Sequence, residues 1–213
     1  MSTKRVFIFA GGNIDEHLLE EICEEDFIIG ADRGALFLVE HNIEPNLAIG
    51  DFDSVTEQEL QKIKAHSIEM MACDAINKDL TDTELAYELA VEKQPKEIIL
   101  VGATGTRLDQ TFANIQMMSK GLQHQIKTYI IDKNNYITLI GSSCTVEARG
   151  FSYVSLLPLT PQVTGITLEG FMYPLNQATL KMGHSLGVSN KLIGQSGTVH
   201  IDSGLLLIIQ SKD

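Results

Sequence analysis

Leu47-Ala48-Ile49-Gly50-Asp51-Phe52-Asp53-Ser54-Val55 is the stretch on which the reading of this chain turns. Three apolar residues lead into it and read as a short buried strand. The run stops at a glycine, and two carboxylates follow, two residues apart. In an extended chain Asp51 and Asp53 project to the same side. Two like charges so placed repel each other. A hard cation such as Mg²⁺, which takes oxygen ligands and often keeps substrate phosphates among them, would offset that cost. The same residues also read as a solvated turn in which Asp53 or Ser54 caps the next helix. By themselves they leave both readings open.

Toward the N-terminus, residues 5–10 read as a buried strand, followed by Gly11-Gly12 and a helical stretch over residues 14–24. Phe27-Ile28-Ile29 is a second apolar run. It ends at Ala31-Asp32-Arg33-Gly34, and a helical pattern follows to about residue 40. Pro45 breaks the chain before the third strand. Toward the C-terminus, Thr56 and Glu59 have capping-box spacing, so a helix is expected there. Residues 67–71 read as a fourth strand. Lys78 to Thr83 precedes an amphipathic helix with Leu85, Leu89 and Ala90 on its apolar side. Residues 97–101 form a clear strand, followed by Gly102-Ala103-Thr104-Gly105-Thr106-Arg107-Leu108-Asp109. A helix then carries Phe112, Ile115, Gln116 and Met118, and residues 125–131 close the series. This alternation indicates an α/β unit with a mostly parallel sheet and helices on both faces.

After about Asp132 the helical period disappears. Strand-like runs are expected at residues 136–140, 153–157, 166–168, 198–201 and 205–209, punctuated by Gly, Ser and Pro. Val199 and Ile201 alternate with Thr198, His200 and Asp202, and Ser203-Gly204 reads as a tight turn into the last strand. An antiparallel β-sandwich or barrel follows from this pattern. Two domains are therefore expected, residues 1–132 and 133–213.

Composition narrows the function. With 44% hydrophobic and 21% charged residues, the 213-residue chain has the make-up of a globular protein with a real core. A formal charge of −12 argues against a nucleic-acid binder, which needs a basic face. Cys23, Cys73 and Cys144 are odd in number and far apart, which favours a reducing compartment. Val6-Phe7-Ile8-Phe9 is too short for a signal-peptide core, and no stretch is long enough to span a membrane, so a cytoplasmic location is expected.

Four polar clusters fall at expected carboxyl ends of parallel strands, where open sheets of this kind bind ligands. They are Asp32-Arg33, Asp51 with Asp53, Lys78-Asp79 with Asp82, and Arg107 with Asp109. Carboxylates there could hold Mg²⁺, and Arg107 and Lys78 could hold phosphate oxygens. Gly102 and Gly105 would let backbone N–H groups approach a phosphate. Each cluster has a plainer reading. Asp79 or Thr81 could cap a helix, with Asp82 or Glu84 favoured in its first turn. Asp109 could be an N-cap. The six histidines show no metal-ligand spacing. Neither GxxxxGK[ST] nor GxGxxG is present.

Taken in order, these stretches resemble the thiamine pyrophosphokinase family. The resemblance rests on Ala31-Asp32-Arg33-Gly34-Ala35, on PNLAIGDFDSV from Pro45 to Val55, on Lys78-Asp79-Leu80-Thr81-Asp82-Thr83-Glu84, and on GATGTRLDQ from Gly102 to Gln110. It continues in GFMYPL from Gly170 to Leu175, in Gly187-Val188-Ser189-Asn190, and in the closing run from Gly204 to Ile209. It implies an α/β catalytic domain followed by a β-sandwich that helps to bind thiamine. It also implies transfer of the terminal diphosphate of Mg-ATP to the thiamine hydroxyl, releasing AMP. A homodimer with sites built from both chains is implied as well. By the same resemblance Asp51, Asp53 and Asp82 hold the metal with Asp32 close by. Lys78, Asp79, Arg107 and Asp109 lie against ATP, and Ser189 and Asn190 against thiamine.

The chain departs from the family pattern in places. GGRLDH stands here as Gly105-Thr106-Arg107-Leu108-Asp109-Gln110, and SNE as Ser189-Asn190-Lys191. No Trp is present to stack on thiamine, which leaves Phe52, Phe171 or Tyr173. Two other readings stand beside this one. A non-catalytic nucleotide or thiamine sensor could use the same scaffold. Asp51-Phe52-Asp53-Ser54-Val55 also fits the DxDx[TV] motif of haloacid-dehalogenase phosphatases, although that class carries the motif on its first strand.

Overall fold

The computed structural model describes residues 5–72 and 79–213, and Lys78 lies outside the described residues. The chain divides into two compact units, one running to Lys133 and the other from Asn134 to Asp213.

The first unit contains six strands: β1 (Arg5–Phe9), β2 (Phe27–Ala31), β3 (Leu47–Gly50), β4 (Glu69–Ala72), β5 (Glu97–Val101) and β6 (Lys127–Ile131). All pair in parallel, in the order β4-β3-β2-β1-β5-β6. The strands β1, β2, β3 and β5 are buried along almost their whole length, which explains why they read as continuous apolar runs. Four helices connect them: α1 (Arg33–Glu40), α2 (Glu57–His66), α3 (Asp82–Glu92) and α4 (Leu108–Gln123). The sheet grows in one direction from β1 to β4, then jumps back across β1 to β5. Right-handed crossovers place α1 and α2 on one face and α3 and α4 on the other. The observed helix pairs agree, since α1 packs with α2 and α3 with α4.

Three expected elements differ in detail. The helix expected over residues 14–24 is a short 3-10 helix, Glu16–Glu21, in which no residue is buried. Without an apolar face to pack, nothing sustains a longer helix there. The buried face of α3 carries Ala86, Tyr87 and Ala90, while Leu85 and Leu89 are half-buried. Tyr87 sets that rotation, because its hydroxyl pairs with Thr128 Oγ1 of β6 at 2.6 Å inside the core. In α4 the inward residues are Asn114, Met117, Met118 and Gly121, and Phe112 is 61% exposed.

The second unit has seven strands: β7 (Asn135–Ile140), β8 (Cys144–Glu147), β9 (Tyr153–Pro158), β10 (Gln162–Glu169), β11 (Ala178–Lys181), β12 (Ser196–His200) and β13 (Leu206–Ser211). They form antiparallel runs β7-β13-β9 and β11-β10-β12-β8. Leu156, Leu206 and Ile208 from the first run share one core with Val163, Leu168 and Val199 from the second. Two sheets facing across one core make a β-sandwich. Strands β8 and β11 each bury one residue in four, Val146 and Leu180, too little alternation to be read from sequence. Ser203-Gly204 does not close a hairpin, because β12 and β13 belong to different sheets. Ser203 still bridges to Thr164 of β10, whereas Leu205 already accepts from Leu159 N–H beside β9. The chain crosses the sandwich between them. Among the described residues no helix is long and apolar enough to cross a membrane.

Candidate active site

Parallel pairing brings the ends of all six strands of the first unit to one edge of its sheet. Asp32 follows β2, and Asp51 follows β3. Asp32 has φ 52° and donates its N–H to Ile49 O at 2.8 Å, which ties the two strand ends together. Ser54 Oγ donates to Asp32 Oδ2 at 2.5 Å. The other oxygen, Asp32 Oδ1, is buried and has no hydrogen-bond partner among the described residues. Burial is the main cause that raises the Asp32 carboxyl pKa. The Ser54 bond opposes this, and the charges of Asp51 and Asp53 add to the rise.

Asp51 and Asp53 do not lie on an extended strand as the spacing suggests. β3 ends at Gly50, and Phe52 has φ 56°. Asp53 N–H donates to Asp51 Oδ1 at 3.1 Å, a local turn that side chains of this type favour. The physical cause is Phe52. It is 5% exposed and packs with Ala35, Leu36, Ala48 and Ile63, so the backbone turns to send it inward between two outward carboxylates. The helix after this turn is capped by neither Asp53 nor Ser54. Thr56 caps it, in a complete capping box with Glu59.

The residues after β1 and β5 meet at the point where the strand order reverses, the preferred ligand crevice of such sheets. Gly12 N–H donates to Gly102 O at 2.8 Å, and Asn13 N–H to Thr104 O at 2.9 Å. A Cβ on Gly12 would lie 2.2 Å from Thr104 O, so only glycine permits this approach. Buried Asn114 donates to Ala103 O at 2.8 Å, and Thr104 Oγ1 donates to Asp132 Oδ2 at 2.7 Å. The Gly102–Gly105 loop is thus held from three sides. Sequence reading missed Asn114 and Asp132 as supports, since neither stands in a chemical motif, and took Ser54 for a possible helix cap when its partner is Asp32, 22 residues away.

Arg107 precedes α4 and forks onto Asp109, with Nε to Oδ1 at 3.2 Å and Nη2 to Oδ2 at 2.5 Å. Each holds the other charged: the guanidinium pKa is raised and the carboxyl pKa lowered by that bond. Asp109 lies in the first turn and is not the N-cap. Thr81 caps α3 by accepting from Glu84 N–H at 3.2 Å; exposed Asp79 precedes it and half-buried Asp82 opens the helix.

In the second unit Asn190 is 5% exposed, and its side chain is a brace. Oδ1 accepts from Tyr173 N–H at 3.0 Å and Lys191 N–H at 2.8 Å, while Nδ2 donates to Tyr173 O at 2.8 Å. Ser189 is exposed at φ 61°, with its N–H on Ser155 Oγ at 3.0 Å. Of the three aromatic candidates for stacking, Phe52 and Phe171 are buried and Tyr173 is 60% exposed.

Among the described residues no three His, Cys, Asp or Glu side chains close on one point. Mg²⁺ does not require such a cage, because it keeps several waters and takes one or two carboxylates plus substrate phosphates. An orphaned buried oxygen on Asp32, in the field of Asp51 and Asp53, suits an oxygen-seeking cation. The residues present fit the ion.

Residues 18–130 match the family model described as thiamin pyrophosphokinase, catalytic domain, and residues 124–206 match the one described as thiamin pyrophosphokinase, vitamin B1 binding domain. The chain is 38% identical over 214 residues to a protein named thiamine pyrophosphokinase from Bacillus subtilis (strain 168), covering 99% of this chain and 100% of that one. It superposes on a crystal structure of thiamine pyrophosphokinase from Bacillus subtilis with a TM-score of 0.92, covering 99% of this chain and 100% of that chain at 38% identity. A thiamin pyrophosphokinase structure from Geobacillus thermodenitrificans matches with a TM-score of 0.89 at 33% identity, covering 98% of each chain.

Proposed function

The chain belongs to the thiamin pyrophosphokinase family, and from that premise we propose how its residues carry out the reaction. The protein is an ATP-dependent thiamine diphosphokinase: it transfers a diphosphate from ATP to the hydroxyl of thiamine, giving thiamine diphosphate and AMP. The observation that carries the site assignment is the buried Asp32 Oδ1, unpartnered among the described residues, in the field of Asp51 and Asp53.

Asp51, Asp53 and Asp82 hold Mg²⁺, with Asp32 next to them. When bound, the ion supplies positive charge to the phosphates and lowers their repulsion of the incoming hydroxyl. Arg107 takes phosphate oxygens through guanidinium N–H groups that the Asp109 fork does not use. Asp109 keeps that side chain oriented, and Lys78 and Asp79 complete the ATP side. The braced Gly102–Gly105 loop presents backbone to the phosphates without having to reorganise. Ser189 meets thiamine, and Asn190 shapes the same surface by holding Tyr173. Catalysis of this kind is positioning and electrostatic stabilisation, with little covalent work for the protein. Of the rival readings, the sensor has no use for such a carboxylate cluster. The phosphatase motif would stand on the first strand, whereas here it follows β3.

We further propose, on the family resemblance, a cytoplasmic homodimer whose sites draw on both chains. At low thiamine, exchange of subunits between Asp53→Asn and Asn190→Ala chains would then raise activity above that of either chain alone, and no gain would appear if each chain built its own site. The reaction itself is tested by incubation with Mg-ATP and thiamine. AMP and thiamine diphosphate should appear in equal amounts, and a chelator should stop both. Release of ADP and phosphate in their place would overturn the reading.

A further inference from the structure

Antiparallel pairing of β8 with β12 sets Val199 opposite Cys144, and one step further the same register sets His200 opposite Ser143. His200 closes β12, and Asp202 stands two residues beyond it. The contacts follow from that register. Ser143 Oγ lies 2.5 Å from His200 Nδ1, and His200 Nε2 lies 3.0 Å from Asp202 Oδ1. An ionised carboxylate only accepts, so Nε2 carries the ring proton. Nδ1 is then the acceptor, and the Ser143 hydroxyl donates to it. This is the order of roles that activates a serine: nucleophile, base, and a third group that fixes the tautomer of the base.

Asp202 is itself held in place. Its N–H donates to Thr164 O at 2.9 Å, and Thr164 Oγ1 pairs with Ser203 Oγ at 2.7 Å. Gly165 leaves room for the carboxylate, since a Cβ there would lie 2.1 Å from Asp202 Oδ2. All of these residues belong to the Asn134–Asp213 unit, and none has a part in the proposed diphosphate transfer.

We propose that Ser143, His200 and Asp202 form a second nucleophilic site that accepts acyl groups from small activated esters. The substrate class follows from exposure. The His200 and Asp202 side chains are 47% and 54% exposed, and Ser143 lies in the exposed turn before β8. Such a site has little to select a large substrate, but it is open to a small acyl donor with a good leaving group. Ser143 Oγ attacks the ester carbonyl carbon as its proton passes to His200 Nδ1. The carbon–oxygen bond to the leaving group breaks, and the leaving alkoxide takes the proton from Nδ1, which returns the ring to its neutral form. Water then attacks the acyl-serine, giving up a proton to Nδ1, which passes it to the departing Ser143 oxygen. The products are the free acid and the alcohol, with no redox change.

The full-length protein treated with p-nitrophenyl acetate tests this. Acetylation should appear on the peptide containing Ser143, read by mass spectrometry. Its rate should fall at least about ten-fold in His200→Gln and to background in Ser143→Ala. Asp202→Asn should also slow it, by releasing the ring tautomer. Thiamine diphosphate formation and thermal midpoints should not change in these variants. Acetyl groups on lysines alone, or Ser143 acetylation as fast in His200→Gln as in the parent, would overturn the proposal.

Discussion

Ser54 donates its hydroxyl to Asp32 Oδ2 at 2.5 Å across 22 residues of chain, while Asp32 Oδ1 stays buried without a partner among the described residues. One contact thus joins the turn after β3 to the end of β2 and leaves the second carboxylate oxygen without a hydrogen bond from any described residue. A buried acceptor left unmade is costly unless something external completes it.

That cost gives the first expectation. Asp51→Asn and Asp53→Asn should each lower diphosphate transfer by about a hundred-fold or more, as loss of a group that helps to stabilise charge on the reacting phosphates would. Thermal midpoints measured without ligand should stay equal or rise, because each change removes a charge that opposes Asp32. A variant that keeps most of its turnover, or that unfolds, would count against the metal role.

Phe52 carries the geometry of the two carboxylates. Phe52→Ala should destabilise the protein by about 3–5 kcal/mol through loss of packing with Leu36, Ala48 and Ile63. Phe52→Leu should recover most of that stability in chemical denaturation. If Phe52→Ala unfolds at the parent midpoint, the side chain is not the anchor described here.

Arg107→Ala should raise KM for ATP about ten-fold and leave KM for thiamine nearly unchanged, as expected for one lost charge-assisted contact. Steady-state kinetics with each substrate varied in turn decides this. A change confined to thiamine would reverse the assignment.

Asn190→Ala should do two things at once. It removes three hydrogen bonds at a buried position, so stability should fall by about 1–3 kcal/mol. By releasing Tyr173 it should also raise KM for thiamine with little effect on ATP. Calorimetry together with the two KM values separates the effects, and an unchanged melting temperature would contradict the brace.

Lys120 of α4 bridges Glu84 at 2.7 Å and Glu88 at 2.5 Å on α3. The Glu84 bond, then the Glu88 bond, raises its pKa above the ordinary value, and partial burial opposes them. A raised folded-state pKa means that the clamp stabilises fully below the ordinary lysine value of about 10.4 and is lost as pH climbs through the folded value. The side chains are 38%, 30% and 41% exposed, so solvent screening limits the clamp to about 0.5–1 kcal/mol. Denaturation midpoints of the parent and Lys120→Met should differ at pH 7–9 and draw together as pH climbs past the ordinary lysine value. A gap that widens with pH would refute the clamp.

Sequence reading succeeded where the physics is local or periodic. The buried parallel strands are continuous apolar runs, so β1, β2, β3 and β5 stood out. The Thr56–Glu59 box depends on residues three apart and was visible for that reason. It failed where one long-range contact overrides the period. Tyr87 turns α3 toward Thr128, 41 residues away, and so Leu85 and Leu89 are not its buried face. The turn expected at Ser203-Gly204 is real chain punctuation, but strand pairing made it a crossing between sheets.

The chain by itself determined the α/β class of the first unit, the β class of the second, and the strand ends at which its carboxylates and glycines stand. Those properties follow from short-range alternation and from residue chemistry. Only the tertiary structure decided that Asp51 and Asp53 flank an inward Phe52 in a turn, that Ser54 serves Asp32, that Asn190 braces Tyr173, and that Ser143 meets His200 and Asp202. Each of these depends on burial or on strand register between residues distant in sequence, and a one-residue slip in register would undo the last of them.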